Sequence, residues 1–332
     1  MKDNSFEGKS NEAVDEFSSM RKSRKSSNRI LNYAENFFKA ISKTSIEELK
    51  SNFDRNSFYC NPNITVNAFV ANKSENRFDD IPCIDSTRVV LDPTIGSSEG
   101  GSELSDYIHA NFVNIPGLTF KFIPTQLPLK STHNNFWRMI YQENVETMII
   151  FCDEEEIKNN EDSPQKLFPN QNNENMQLES IYLMNKKNSA ASGLPHSIVE
   201  VLPNGCSQSN VVKVIQTNIW PRDTIPDSRI KVLQLLRALK GSSCVLVCNS
   251  GIGRCGAFML IAAMKGCIML NKPINGVEIM KMIRNQRAYA IQSFKHYLYA
   301  YTVIMQYLKI RTKDEFKNEI SNFFNKSDRY LN

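Results

Sequence analysis

Val245-Leu246-Val247-Cys248-Asn249-Ser250-Gly251-Ile252-Gly253-Arg254-Cys255-Gly256 is the stretch on which the reading of this 332-residue chain turns. Cys244 to Val247 is a short apolar run with β-branched residues, which predicts a buried strand. Gly251, Gly253 and Gly256 predict a tight loop, and a helix is predicted to start near Gly253. In such a loop successive backbone N–H groups turn inward and form an anion nest, reinforced by the helix dipole. Five residues separate Cys248 from Arg254. That spacing lets the loop circle a tetrahedral dianion, with a thiolate below the phosphorus and the guanidinium forking onto two oxygens. The same positive field lowers a thiol pKa, and the thiolate is the nucleophile. The Cys–Arg spacing alone is a weak sign; the glycines and the flanking strand and helix make it specific.

Working outward, Asp227 or Ser228 can cap a helix running to about Lys240, with Gly241 as its stop. Two further helices are predicted over Gly276 to Asn285 and Gln292 to Lys309. Towards the N-terminus, Ile30, Tyr33, Phe37, Phe38 and Ile41 recur at helical spacing, and a second helix covers Ser45 to Phe53. Short β-rich runs predict strands at Ser86–Val90, Phe112–Asn114, Phe120–Pro124 and Thr147–Cys152, then at Ser180–Met184, Ser197–Val201 and Val211–Thr217. Asn134 to Glu143 reads as a helix and Asn159 to Asn175 as a surface loop. Strands and helices mix without strict alternation, so the expected fold is α/β (α+β): one domain with a twisted mixed sheet flanked by helices. The expected organisation is a polar, basic, disordered tail over residues 1–28, the domain over 29–312 and a C-terminal tail over 313–332.

Composition narrows the function classes. With 41% hydrophobic and 23% charged residues, the chain has ample material for a core. A net charge of +5 is too mild to indicate a nucleic-acid binder, though local positive potential would suit a phosphorylated ligand. The cluster Arg21, Lys22, Arg24, Lys25 reads as a solvated tail rather than a nuclear or membrane signal. The eight cysteines hold no C-x-x-C pair and no metal-ligand spacing with histidine, so neither a zinc site nor a disulfide framework is expected. No secretory signal is visible, and the longest apolar run, Ala257 to Leu270, is broken by Lys265 and too short to span a bilayer. The expected setting is cytoplasmic, with free thiols and no membrane span.

The cysteine loop resembles the signature of the protein tyrosine phosphatases, and further segments occur in that family's order. Asn76 to Ile81 resembles the phosphotyrosine-recognition loop, Asp106 to Val113 the next strand, and Phe122 to Leu129 with Phe136 to Ile140 the structural core. Trp220 to Pro226 resembles the mobile acid-bearing loop; Gln286, Arg287 and Gln292 resemble the glutamine loop. The resemblance implies Cys248 as nucleophile, Arg254 as phosphate ligand and Gln292 as the residue that positions the hydrolytic water. Asn249, Ser250, Gly251, Ile252 and Gly253 would supply the nest, Phe78 would stack on the substrate ring, and Asp80 would contact the peptide backbone. No metal or organic cofactor is implied. Within the family, the chain resembles the phosphatase-like set of bracoviruses, which would place its action in the cytoplasm of an infected insect cell.

The family pattern is broken where the proton donor belongs. Trp220, Pro221 and Pro226 keep their spacing, but Arg222 stands in place of the aspartate and Asp223 is displaced by one residue. In an extended loop that shift sends the side chain the other way. Arginine cannot donate usefully, because its pKa lies above about 12, and loss of a general acid typically costs about 10²–10⁴ in rate. Val247 replaces the usual histidine before the nucleophile, and Cys255, a weaker donor, replaces the usual hydroxyl residue after Arg254. Without those helpers Cys248 is expected nearer the free thiol value of about 8.5, although the nest and Arg254 oppose this. Phe78 lacks the usual hydroxyl and Leu127 replaces a glycine. His296 replaces a second glutamine and reads as a structural histidine, with action as a base the alternative. Binding residues are thus better kept than turnover residues. The expected function is an impaired or inactive phosphatase that binds phosphotyrosine proteins, with Arg222 adding charge over the phosphate. The rivals are an active phosphatase using Asp223 and an interaction scaffold indifferent to phosphate.

Overall fold

A computed structural model describes residues 28–97, 104–158, 163–190, 193–313 and 315–331. The expected N-terminal tail, with its basic cluster, lies outside the described residues except for Asn28. Helix α1 occupies 28–41 and buries Tyr33, Ala34, Phe37 and Phe38, the face its spacing predicts. Helix α2 (Ile46–Asp54) starts at Ser45, whose hydroxyl accepts from Glu48 N–H at 3.0 Å.

Among the described residues, nine strands form one mixed sheet in the order β1-β2-β3-β9-β4-β8-β7-β6-β5. They are β1 (Arg88–Val90), β2 (Tyr107–Asn111), β3 (Lys121–Gln126), β4 (Thr147–Phe151), β5 (Asn175–Gln177), β6 (Ile181–Ser189), β7 (His196–Pro203), β8 (Asn210–Thr217) and β9 (Ser243–Cys248). The four central strands, β3, β9, β4 and β8, run parallel; both flanks are antiparallel. Strand β9 is buried along its whole length, which explains why it reads as an apolar run rather than an alternating one.

Alternation across β9 divides the core in two. Cys244, Leu246 and Cys248 join the cluster built with helices α6 (Arg229–Ala238), α7 (Arg254–Leu270), α8 (Gly276–Arg284) and α9 (Phe294–Arg311). Val245 and Val247 join Phe136, Trp137 and Ile140 of α4 (His133–Gln142) on the opposite face. The parallel core brings the C-terminal ends of β3, β4, β8 and β9 to one edge of the sheet, where crevices for ligands form in α/β architectures.

Several expectations need correction. The strand expected at Phe112–Asn114 is reduced to a bridge between Val113 and Phe122, and the paired strand, β2, ends at Asn111 just before it. The expected Asn159–Asn175 loop holds a 3₁₀ turn at Pro164–Lys166, and its last residue begins β5; residues 159–162 lie outside the described set. The stretch expected as a C-terminal tail contains helix α10 (Lys317–Leu331), which buries Ile320, Phe323 and Leu331 against the α7–α9 side. Its apolar residues recur at three- and four-residue intervals, a helical signal that the polar composition of the segment masks. Helix α6 stops at Ala238, ahead of Gly241, which holds a φ of +90° in the turn that follows.

Candidate active site

Strands β9 and β8 lead into the pocket lining, to the Cys248 loop and to Arg222 and Asp223, while the ends of β3 and β4 carry residues that brace it. Strand β9 ends in Cys248, and the loop 249–253 leads into α7, whose N-cap Gly253 has no side-chain cap. Within the first turn of α7, Gly256 N–H donates to Ile252 O at 3.2 Å and Cys255 N–H turns to the Cys248 sulfur. Gly251 has a φ of +72°, and a Cβ there would meet Thr125 backbone atoms and Arg287 at 2.6–2.7 Å. Gly256 is required by packing, since a Cβ would fall on the backbone of Ile291. The loop is also tied from outside: Leu127 N–H donates to Asn249 O at 3.2 Å and Ile291 N–H to Ile252 O at 2.9 Å.

Arg287, fully buried, links this loop to the recognition loop. It donates to Ser250 O at 3.0 Å, Asn111 Oδ1 at 2.8 Å and His109 Nδ1 at 3.2 Å. Burial and then Arg287 hold His109 down at about 3, so its neutral ring accepts at Nδ1 and donates through Nε2 to Ile81 O at 2.8 Å. Gln126, at the end of β3, accepts from Arg77 N–H and donates to Glu75 O, which fixes the segment carrying Phe78 and Asp80.

A cavity of about 250 Å³ is lined by Phe78, Asp80, Ile81, Arg222, Asp223, Cys248, Asn249, Ser250, Gly253, Arg254, Gln292 and His296. The geometry thus assembles the residues read from the sequence; Gly251 and Ile252 shape the loop behind the lining. Its size suits an aryl phosphate, with the half-buried Phe78 at the rim.

Cys248 departs from expectation. Burial alone would raise the Cys248 thiol, but a hydrogen bond from Cys255, the charge of Arg254 and the backbone N–H groups of Cys255 and Gly251 overcome it and hold Cys248 at about 5. Cys255 is pushed well up, by burial first and then by its bond to Cys248, so it stays a neutral donor. The expectation of a near-normal thiol is corrected: a buried thiol donor and the nest do together what the missing histidine and hydroxyl do elsewhere.

Two residues not anticipated from the sequence organise the cations. Asp153 and Glu156 follow β4, Glu156 lying in the short helix α5 (Glu154–Lys158). Glu156 accepts from Arg254 Nη1 at 2.8 Å and Nη2 at 2.5 Å, with both side chains about 95% buried. Arg222 reaches the same carboxylates: Nη2 lies 3.6 Å from Glu156 Oε1, Nε lies 3.9 Å from Asp153 Oδ2, and Arg222 N–H donates to Asp153 at 3.2 Å. Burial opposes it, but the backbone N–H bonds from Glu156 and Arg222 hold the Asp153 carboxyl below its ordinary value. Arg222 therefore lines the pocket while its guanidinium also neighbours these two carboxylates. The signal available was the acidic run Asp153-Glu154-Glu155-Glu156 directly after a strand that neighbours β9.

Asp223 also departs from expectation. Its φ of +57° puts the backbone in the left-handed region, and its side chain lines the pocket instead of turning away. The loop is not extended at Asp223, so a shift of one residue does not turn the side chain away. Gln292 faces Gly253, its Oε1 3.1 Å from where a Cβ would sit, with His296 alongside.

Known proteins agree with this fold. The profile of the family described as protein-tyrosine phosphatase matches residues 72–306, so the chain belongs to the protein-tyrosine phosphatase family. Human receptor-type tyrosine-protein phosphatase epsilon is 28% identical over 258 residues, covering 72% of this chain and 35% of that protein. Zebrafish receptor-type tyrosine-protein phosphatase F is 26% identical over 241 residues, covering 71% and 12%. The chain thus spans about a third or less of these relatives. A solved structure concerning PTPN18 and its fingerprint on distinct HER2 tyrosine phosphorylation sites aligns with a TM-score of 0.64 at 22% identity. That alignment covers 85% of this chain and 99% of the other, and it supports the shared fold. Among the described residues no helix is long and apolar enough to cross a membrane, and no group of three or more potential ligands could hold a metal ion.

Proposed function

We propose that this protein-tyrosine phosphatase domain binds phosphotyrosine proteins in the Cys248 loop and releases them slowly, because its nucleophile is ready and its proton donor is impaired. The observation that carries this reading is the pairing of a Cys248 held at about 5 with an Arg222 beside Asp153 and Glu156 where the acid belongs. Formation of a phosphocysteine requires the tyrosyl oxygen to leave with a proton, and arginine supplies none. Arg254, Gln292 and the 249–253 loop hold the phosphoryl group, Phe78 stacks on the ring, and Asp80 takes the peptide backbone. In the narrower bracovirus placement, such a trap would perturb phosphotyrosine signalling in the cytoplasm of an infected insect cell.

A second reading, an active phosphatase, is favoured by the left-handed φ of Asp223, which brings a carboxyl to the pocket after all. The two are separated by comparing 4-nitrophenyl phosphate, whose leaving group needs little protonation, with a phosphotyrosine peptide. The impaired-acid reading expects the activated ester to be turned over far faster and the peptide to bind without turnover above Cys248→Ser. Equal relative rates on both, lost together in Asp223→Ala, would replace it with the active phosphatase.

A further inference from the structure

Among the described residues, neither ring nitrogen of His296 has a hydrogen bond of normal geometry. It sits in the first turn of α9, its N–H held by Ser293 Oγ at 3.2 Å, so the position of its side chain is fixed from below. The residue is 6% exposed, and Nδ1 and Nε2 are both buried. The Thr224 carbonyl reaches the ring as well as accepting from Trp220 Nε1 at 3.1 Å, which leaves the other ring nitrogen as an acceptor. Trp220 packs edge-on over the imidazole at 5.8 Å between centroids. Burial and then Arg254, against the pull of Asp223, hold the ring down at about 4, so it is neutral, and its acceptor nitrogen is left unmet by the described residues.

The ring nevertheless lines the pocket that holds Cys248 and Arg254. A Cβ on Gly253, at the start of the phosphate loop's helix, would lie 3.4 Å from His296 Cε1 and 3.9 Å from Nδ1, beside the 3.1 Å approach of Gln292 Oε1. The Gln292 amide oxygen and the edge of the His296 ring thus border the same space beside Gly253. Buried polar groups are rarely left unpaired, and a catalytic role or an ordered water is among the explanations for one that is.

We propose that His296 holds, and takes the proton from, the water that hydrolyses the phosphocysteine formed on Cys248. This rests on the preceding reading that Cys248 is a competent nucleophile. The water oxygen forms the new P–O bond, the P–Sγ bond breaks, and its electron pair returns to Cys248 as thiolate. The water's proton passes to an imidazole nitrogen and then to solvent, leaving inorganic phosphate in the loop. The ring is a weak base while the pocket is empty; a phosphoryl dianion beside it offsets Arg254 and strengthens it as a base when it is needed. Gln292 orients the water from the other side. A neutral imidazole in this position would allow the second half of the reaction to run without an aspartate at position 222.

The test separates the two halves of the reaction. The protein, His296→Ala and His296→Gln are mixed with ³²P-labelled 4-nitrophenyl phosphate, quenched at intervals, and labelled protein is followed through formation and decay. Label is expected to form in all three and to persist at least about tenfold longer in His296→Ala. Added imidazole should restore its decay, a rescue that a merely structural histidine would not show, while His296→Gln, which keeps a hydrogen-bond acceptor but no base, should remain slow. Equal decay in the unaltered protein and His296→Ala, or slow decay that imidazole leaves unchanged, overturns the proposal. Absence of label and of nitrophenol release from every form, Cys248→Ser included, would instead overturn the competent nucleophile on which it rests.

Discussion

Replacing Cys255 with alanine should raise the pKa of Cys248 without removing the pocket. Cys255 contributes the largest of the interactions that hold Cys248 at about 5, ahead of Arg254 and the loop N–H groups. A hydrogen bond to a charged group is worth about 1.5–3 kcal/mol, and 1.36 kcal/mol corresponds to one pKa unit. The thiol in Cys255→Ala should therefore titrate at roughly 6–7. The thiolate fraction at neutral pH would fall by no more than about twofold, so one rate at pH 7 would miss the effect. The assay is alkylation of Cys248 by iodoacetamide as a function of pH, read by mass spectrometry of its peptide so that the other thiols do not interfere. Cys255→Ser, with a stronger hydroxyl donor, should keep the low inflection. An inflection unmoved in Cys255→Ala would refute the role of the Cys255 bond. One near 8.5 in the unaltered protein would refute the anion nest itself.

Two further outcomes follow from the carboxylates behind the pocket. Arg254→Met should abolish phosphopeptide binding and lower stability by about 3–5 kcal/mol, because Glu156 is left charged and buried. Adding Glu156→Gln should recover much of that stability but none of the binding, as thermal denaturation and titration with peptide would show. Arg222→Asp, the change that restores the family residue, should give little gain in peptide turnover, since Asp153 and Glu156 face that position and would repel the new carboxylate. Arg222→Asp with Asp153→Asn should be the faster enzyme; a full recovery by Arg222→Asp alone would show that these carboxylates do not oppose an acid there.

Much of the site was legible because its chemistry is local. Cys248, the glycines and Arg254 lie within one strand–loop–helix unit, where spacing along the chain is nearly spacing in three dimensions. Asp153 and Glu156 were missed because an acidic run reads as solvated surface until the strand before it is placed beside β9. Asp223 was misread because its direction depends on one backbone angle, and a left-handed φ at aspartate leaves no mark on spacing. The thiol was misread because the balance between burial and donors depends on where the Cys255 sulfur lies.

Order along the chain was enough for the mixed α/β fold, for the strand, loop and helix around Cys248, and for arginine rather than aspartate at position 222. Periodicity, turn residues and identity at fixed spacing are properties of the chain read in order. Packing in three dimensions supplied the rest: that Glu156 pairs with Arg254, that Arg222 neighbours Asp153 and Glu156, that Asp223 lines the pocket and that the His296 ring is buried beside it. Each of these depends on side chains from strands and loops far apart in the chain meeting at the C-terminal edge of one sheet, and on the low dielectric there. Burial decides which charges are paired and which thiol ionises, and burial is a property of the folded chain alone.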